Sequence, residues 1–376
     1  MGRGDRLMPT RVRSYSKINL GLAVGPPRAD GFHSLATVYQ TMQLHDLVTV
    51  TARQAQKTTI VLTANHRGVP RSEAGNAERN TAWKMVHRVL ERLNITAEVE
   101  ISIDKRLPVQ GGMGAGSANA VAAMLGLERE LRVALQGPDR LEVAAEVGSD
   151  VPLFLLGGTV LGLGRGEDVY PLPESPAMPC VIALPEVGVS TALAFQQLDA
   201  RWNDRMRAEI AAEGAARLTS APPADKLKQL SRALASVWST TGVESGPSGI
   251  ALTNRPELIP GDLPSGKASV MQRDVRGDLA ENPLLALVRT GIENDFEEVV
   301  FSQHPSLRST KRDLMGSSSG SALYAALSGS GSALFGLYES QADARAAQHR
   351  VQQNGTRAIL TETLPRRDYW HTMFAG

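Results

Sequence analysis

The chain has 376 residues, 42% apolar and 21% charged, with a formal net charge of +1 and one cysteine. That length favours two domains, and the near-zero charge argues against bulk binding to nucleic acid or to an anionic membrane. A lone cysteine excludes an internal disulfide and a cysteine zinc cluster, and no apolar run reaches the roughly 20 residues of a membrane-spanning helix. Residues 1–10 carry charge without an apolar centre, the pattern of a tail and not of a signal peptide, so a cytoplasmic location is expected.

Ile18, Leu20, Leu22 and Val24 alternate with Lys17, Asn19, Gly21 and Ala23, which predicts a strand with Lys17 and Asn19 on its second face. A loop follows at Pro26–Gly31, then two further strands within residues 45–63, on either side of Ala52-Arg53-Gln54. Ala82, Met85, Val86, Val89 and Leu93 form a helical stripe capped by Asn80 or Thr81. Ala97, Val99, Ile101 and Ile103 alternate with Glu98, Glu100, Ser102 and Asp104, a half-buried strand.

That strand leads into the most informative stretch, Pro108-Val109-Gln110-Gly111-Gly112-Met113-Gly114-Ala115-Gly116-Ser117-Ala118-Asn119. A helix with Ala120, Ala123, Met124, Leu127 and Leu131 at helical spacing leads out of it. Glycines let a backbone approach a ligand closely, and the helix start points unpaired N–H groups and its positive dipole end at the loop. This combination is an anion cradle, usually for phosphate; the bland alternative is a turn that only lets strand and helix pack. No Gly-Lys-Ser/Thr closes it, so it is not a Walker A loop, and its glycine spacing does not fit the dinucleotide fingerprint.

Further on, a helix at 140–147 ends at Gly148, and a short segment starts at Ser149-Asp150 with Pro152 in its first turn. Strands are expected at 158–163 and 180–184, where Cys180 reads as a buried strand residue. An insert is expected from about residue 203 to 282. Its 240–282 part is rich in Gly, Ser and Pro with little periodicity, and reads as extended and flexible. Gly261–Ala268 imitates a P-loop but has alanine after Lys267, so the magnesium hydroxyl is missing. Helices at 284–289, 297–301 and 342–353 and strands at 322–327, 333–338 and 357–361 complete the chain, with a small-residue turn at Ser328-Gly329-Ser330-Gly331-Ser332. Strands and helices alternate without a strict βαβ repeat, which favours α+β.

A phosphate cradle points to phosphoryl transfer, which needs a cation near the transferred group and a carboxylate near the attacking hydroxyl. Lys17 reads as that cation or as an edge-strand lysine facing solvent. Asp150 reads as that carboxylate or as a helix N-cap. His33 reads as a solvated loop residue or a reader of a base edge, and Phe195 as a core residue or a stacking platform. Ser328–Ser332 reads as a second phosphate nest or a tight turn.

Taken together these segments resemble the GHMP kinases, over roughly residues 11–200 and 284–364. Lys17-Ile18-Asn19-Leu20, Lys105-Arg106-Leu107-Pro108 through Asn119-Ala120, Gly148-Ser149-Asp150-Val151-Pro152-Leu153-Phe154, Val189-Ser190-Thr191, Asn294-Asp295-Phe296-Glu297 and Ser328–Ser332 stand in the family's order. Arg28-Ala29-Asp30-Gly31-Phe32-His33 is similar to the branch whose alcohol substrate carries a cytidine diphosphate. The resemblance implies an ATP-dependent kinase using Mg2+. It implies an α+β fold with an N-terminal ATP-binding domain at 11–172 and a C-terminal ferredoxin-like domain at 173–376 that holds the insert. ATP would lie on residues 108–118, with Asn80 and Lys105 at its nucleoside end. Asp150 would take the hydroxyl proton and Lys17 would hold Asp150 ionised. Asn19, Phe32, His33, Thr191, Phe195, Ser328, Gly329 and Ser330 would hold the substrate.

The chain departs from the family in Tyr15-Ser16, where Pro-Ala is usual, and in Ala118, where a second serine is usual. Other alcohols within the family, and a catalytically inactive nucleotide-binding protein of the same fold, are the alternatives. The presence of both Lys17 and Asp150 speaks against the second. Nothing in the sequence sets an oligomeric state or names metal ligands.

Overall fold

Two β-sheets organise the chain, and the first grows out of one long hairpin. The computed structural model describes residues 8–28, 31–109, 111–213, 293–317 and 320–375. Gln110, the insert beyond residue 213 with its imitation P-loop, and the helix expected at 284–289 lie outside the described residues. β1 (Thr10–Pro27) and β2 (His33–Gln54) pair antiparallel along almost their whole length, so the strand expected at 18–24 is the middle of a longer one. The turn expected near Ala52-Arg53-Gln54 falls instead at 55–58, because those three residues pair with Val99, Glu98 and Ala97 of β4 (Ala97–Asp104). β3 (Thr59–Ala64) then runs parallel to β4. The near half of β2 pairs with β5 (Thr159–Leu163), which pairs with β6 (Asp168–Pro171).

Three helices cover this sheet. α1 (Thr81–Leu93) starts where the Asn80 side chain accepts a hydrogen bond from the Ala82 amide at 2.9 Å, and ends at Asn94 in the left-handed region. Ala82, Met85, Val86 and Val89 of its apolar stripe are buried, as the periodicity predicts, and Leu93 at its end is half-buried. α2 (Ala115–Leu131) is buried on more sides than its one-sided stripe suggested, since it lies between the β1–β2 hairpin and α1. Its small residues allow that approach: a Cβ on Gly126 would lie 2.6 Å from Val50 Cγ2. α3 (Gly137–Val147) packs on α1.

The second sheet has the order β10 (Arg357–Glu362), β7 (Pro179–Leu184), β9 (Leu334–Leu337), β8 (Tyr324–Leu327), antiparallel throughout. The period of two divides its side chains. Val181, Ala183, Leu327 and Leu334 join α4 (Thr191–Glu213), α5 (Phe296–Gln303), α6 (Pro305–Met315) and α7 (Gln341–Gln353) in one core. Cys180, Ile182, Phe335 and Leu337 join Ile18, Leu20, Val38 and Met42 of the first hairpin in another. The two sheets thus meet across the middle of β1 and β2, and the functional residues lie along that seam. α4 continues to residue 213, so the first part of the expected insert is helical.

Cys180 is fully buried, and burial pushes its thiol pKa far above the ordinary value, as suits an inert strand residue. The chain ends by returning to the first sheet: α8 (Arg366–Thr372) places Tyr369 in the first core, and β11 (Phe374–Ala375) pairs with Arg11 and Val12 of β1.

Candidate active site

Lysine is rarely buried without partners, and the side chain of Lys17 is 3% exposed. It lies on an interior strand, flanked by β2 and the glycine loop, so the solvent-facing edge position does not apply. Its Nζ donates to Asn19 Oδ1 at 2.6 Å and lies 3.2 Å from Asp150 Oδ2. Asn19 in turn donates to Thr37 Oγ1 at 2.8 Å, which fixes its amide and aims the oxygen at the lysine. An ammonium has three N–H donors; the hydrogen bond to Asn19 takes one, and Asp150 matches the charge.

Asp150 is not a helix cap: the short helical turn Pro152–Leu155 begins after Val151 and has no side-chain cap. Its carboxylate is instead held from two sides, Oδ2 by Lys17 and Oδ1 by the Tyr39 hydroxyl, which donates at 3.0 Å. Burial first, and then the neighbouring Asp150 charge, push the Tyr39 phenol well above its ordinary pKa, so it remains a donor. Nothing in the sequence around Tyr39 marks it. It reaches the site because Tyr39 stands opposite Asn19 across the β1–β2 hairpin.

The glycine loop is anchored at its entry by Asp46, a fully buried carboxylate on β2. Asp46 accepts from the Lys105 ammonium at 2.5 Å and from the Arg106 and Leu107 amides at 2.8 Å each. Lys105 is therefore engaged inside the protein, and the Asn80 side chain both caps α1 and donates to the Pro70 carbonyl at 3.0 Å. Thr81 Oγ1 donates to the Gly116 carbonyl at 2.5 Å, so the start of α1 lies beside the first turn of α2. Gly111, Gly112 and Gly114 have positive φ, of 145°, 74° and 67°. The space around Gly112 demands glycine as well: a Cβ there would lie 2.0 Å from the Ser328 carbonyl oxygen. The Lys17 amide donates to the Met113 carbonyl at 3.0 Å, and Ser328 Oγ donates to the Gly112 carbonyl at 3.0 Å, so both sheets hold the loop. Gly114 stands at the N-cap of α2 and has no side chain to cap its first-turn amides, which leaves those donors for an anion. Ala115 and Ala118 are buried among core residues.

A cavity of about 680 Å3 opens on this arrangement. Lys17, Asp150 and Tyr39 line it with Gly111 and Gly112 of the loop. Phe32, Phe195 and Phe296 make an aromatic wall, and Thr191, Gly329 and Ser330 come from the second sheet's side. Of the described residues expected to bind ATP, Gly111 and Gly112 line this cavity, while Asn80, Lys105, Pro108, Val109, Met113, Gly114, Ala115, Gly116, Ser117 and Ala118 do not. Phe195 stacks on His33 with ring centroids 4.8 Å apart and meets the edge of Phe296 at 4.9 Å. Both ring nitrogens of His33 have partners in the chain: Nδ1 faces the Gly25 carbonyl at 2.9 Å, and Nε2 lies 3.5 Å from Asp199 Oδ1. The imidazole therefore supports Phe195 with its face and lines the cavity, and its Nδ1 is engaged by the Gly25 carbonyl.

Thr191 Oγ1 and Ser330 Oγ are 2.7 Å apart, joining α4 to the second small-residue turn. Asn294 holds that turn from behind: its buried amide nitrogen donates to the Leu327 and Gly329 carbonyls at 2.8 Å each. The sequence marks Asn294 as part of a motif, and the fold supplies its task. Among the described residues no group of three or more His, Cys, Asp or Glu could hold a metal ion, and no helix is long and apolar enough to cross a membrane.

Comparison with known proteins shows the family of the chain. The family model described as GHMP kinases N terminal domain matches residues 80–158, and GHMP kinases C terminal matches residues 277–357. The 4-diphosphocytidyl-2-C-methyl-D-erythritol kinase of Solibacter usitatus (strain Ellin6076) is 31% identical over 327 residues, covering 87% of this chain and 80% of the relative. The like-named kinase of Rhodococcus jostii (strain RHA1) is 38% identical over 54% of this chain and 61% of its own length. The like-named kinase of Nocardia farcinica (strain IFM 10152) is 40% identical over 51% of this chain and 60% of its own length. A crystal structure of 4-(cytidine 5'-diphospho)-2C-methyl-D-erythritol kinase superposes with a TM-score of 0.59 at 23% identity, covering 94% of this chain and 98% of the other. Homoserine kinase from Cytophaga hutchinsonii ATCC 33406 superposes with a TM-score of 0.59 at 19% identity, covering 97% of each chain. These two likenesses establish the fold, the α+β arrangement that the pattern of elements predicts. From the matched domains and the relative covered over four-fifths of its length, the chain belongs to the GHMP kinases, small-molecule kinases that use ATP as phosphate donor.

Proposed function

We propose that this kinase transfers the γ-phosphoryl group of ATP to the 2-hydroxyl of 4-diphosphocytidyl-2-C-methyl-D-erythritol, a step of non-mevalonate isoprenoid precursor biosynthesis in the cytoplasm. The observation that carries the reading is the Lys17–Asp150–Tyr39 group, set between a phosphate-cradling loop and an aromatic wall in one cavity. Asp150, oriented through both oxygens, accepts the proton of the attacking hydroxyl. The Lys17 ammonium would donate to the transferring phosphoryl oxygens, where charge develops in the transition state. The acceptor is a hindered tertiary alcohol, so holding it in line matters more than polarising it. Phe32 and Phe195, both in the cavity wall, would supply a surface for the cytosine.

The uncapped first turn of α2 and the glycines at 111, 112 and 114 fit the phosphates of ATP. Mg2+ accompanies ATP in this reading and spreads the charge of its phosphates. It is held largely by phosphate oxygens and water, and Ser117, half-buried in the first turn of α2, would add its hydroxyl.

The same reading divides the chain into an ATP-binding unit at 11–172 and a second unit at 173–376. The two sheets support it, with residues 366–375 shared because they pack back on the first. A coupled ADP-release assay with the cytidine substrate beside mevalonate, homoserine and galactose tests the proposal. Turnover of one of the others in preference to the cytidine substrate refutes it.

A further inference from the structure

Arg165 enters neither the motifs nor the roles assigned above, yet it lines the cavity. It stands in the turn between β5 and β6, flanked by Gly164 and Gly166 with φ of 72° and 108°. The turn is fixed on both sides. The Leu35 amide donates to the Gly164 carbonyl at 2.7 Å. On Gly166 an added Cβ would lie 2.5 Å from the Tyr39 hydroxyl, the group that holds Asp150. The guanidinium reaches the other way and lies over the Phe32 ring, 5.0 Å from its centroid. Phe32 is 51% exposed, so this stack lies at the open side of the aromatic wall.

The guanidinium is held but not used up. Glu167 Oε1 accepts from Nε at 2.9 Å, and Oε2 accepts from the Arg165 amide at 2.5 Å. Burial alone would raise the Glu167 pKa. Hydrogen bonds from the backbone and from Arg165 outweigh it and leave the carboxyl below its ordinary value, so the grip is that of an anion. An arginine carries five N–H donors in a fixed planar fork. With Nε taken by Glu167, the Nη groups present the remaining four from an orientation already set, and no hydrogen bond to them occurs among the described residues. Lys17 and Arg165 are the lysine and arginine side chains of the cavity wall; each is paired with one carboxylate, Lys17 with Asp150 and Arg165 with Glu167, and Arg165 keeps its Nη edge open.

We propose that the Nη edge of Arg165 binds the diphosphate of the substrate. This inference rests on the function proposed above and follows from the order of atoms in the substrate, in which the diphosphate links the cytidine to the tetrol that bears the reacting hydroxyl. The base belongs at the aromatic wall and the hydroxyl at Asp150. Arg165 touches the first through Phe32, and its neighbour Gly166 touches the second through Tyr39. The linker must pass between those points, and a planar fork of N–H donors suits paired phosphate oxygens.

The test uses cytidine and cytidine diphosphate as inhibitors competitive with the alcohol substrate. In the unmodified kinase the diphosphate inhibits at lower concentration than the nucleoside. In Arg165→Ala that gap shrinks by about 10- to 100-fold, the range for a hydrogen bond to a charged group. The KM for the substrate rises correspondingly and the KM for ATP stays within about twofold. Arg165→Gln ends where Nε stands, so it keeps a donor toward Glu167 and removes the Nη groups. It gives the same loss of discrimination should the alanine variant fold poorly, while Arg165→Lys restores part of it. A gap that persists in both uncharged variants overturns the assignment, as does a change confined to the ATP constant. Equal inhibition by the two compounds in the unmodified kinase overturns the role of Arg165 alone. Inhibition by neither overturns the cytidine reading and this inference together.

Discussion

Tyr39→Phe isolates a single hydroxyl and its effect can be sized from the geometry. The ring is retained, so the packing of a side chain that is 1% exposed and the surface beneath the Lys17 ammonium are preserved. What is lost is the 3.0 Å hydrogen bond to Asp150 Oδ1. Such a bond to a charged acceptor is worth about 1.5–3 kcal/mol. Asp150 is 35% exposed, so water replaces part of the loss and the lower end applies, near 1.5 kcal/mol. If the hydroxyl acts only by orienting the carboxylate, kcat falls about tenfold, while both KM values change little. Asp150→Asn, which removes the proton acceptor, lowers kcat by about 10²-fold or more, the scale of general-base loss, with ATP binding retained. The double variant then loses no more than Asp150→Asn alone, because the hydroxyl has nothing left to orient. Steady-state ADP release from the four proteins, with thermal melting to confirm folding, reads the cycle. Losses that multiply would falsify the positioning role of Tyr39, and an unchanged kcat in Asp150→Asn would remove Asp150 from the chemistry.

Phe195→Ala should raise the KM for the cytidine substrate and leave that for ATP nearly unchanged, since losing a stacking platform costs about 1–3 kcal/mol per base; a shift in the ATP constant instead would reverse the assignment of the two ligands. Gly112→Ala forces a side chain into positive φ and into the Ser328 carbonyl 2.0 Å away, so urea unfolding should show a loss of at least about 2 kcal/mol together with weakened ATP binding. Asn294→Ala leaves the Leu327 and Gly329 carbonyls without their buried donor and should lower stability by about 2–4 kcal/mol, with a rise in substrate KM as the Gly329–Ser330 wall loosens. Burial raises the pKa of Cys180, Tyr39, Tyr324, Tyr338 and Tyr369 in the folded chain. The unfolded chain therefore releases these protons first. Stability from these groups is complete below about pH 8.5, the ordinary thiol value, and falls as pH rises beyond it; a denaturant midpoint unchanged between pH 8 and 10.5 would contradict this.

Local order was legible wherever neighbours in sequence carry the cause. The alternation at 97–104 makes β4 because period two buries one face of a strand, and the stripe from Ala82 makes α1 because period 3.6 does the same for a helix. The glycines at 111, 112 and 114 announce a backbone that few other residues can adopt. Lys17 and Asp150 stand out because charge in apolar surroundings needs a partner. The partners themselves are not local. Tyr39 meets Asp150 through the register of a hairpin, and Asp46 captures Lys105 across 59 positions. Asn294 reaches carbonyls 33 and 35 residues away, and Arg165 reaches Phe32 only because β5 pairs with β2. Which backbone can cradle a phosphate and which charges need neutralising follow from the residues alone, since steric freedom and desolvation act at single residues. Which side chains do the neutralising follows from the fold. Pairing across a sheet, and between the two sheets, places donors and acceptors by register and packing, and neither leaves a trace in the spacing of neighbouring residues.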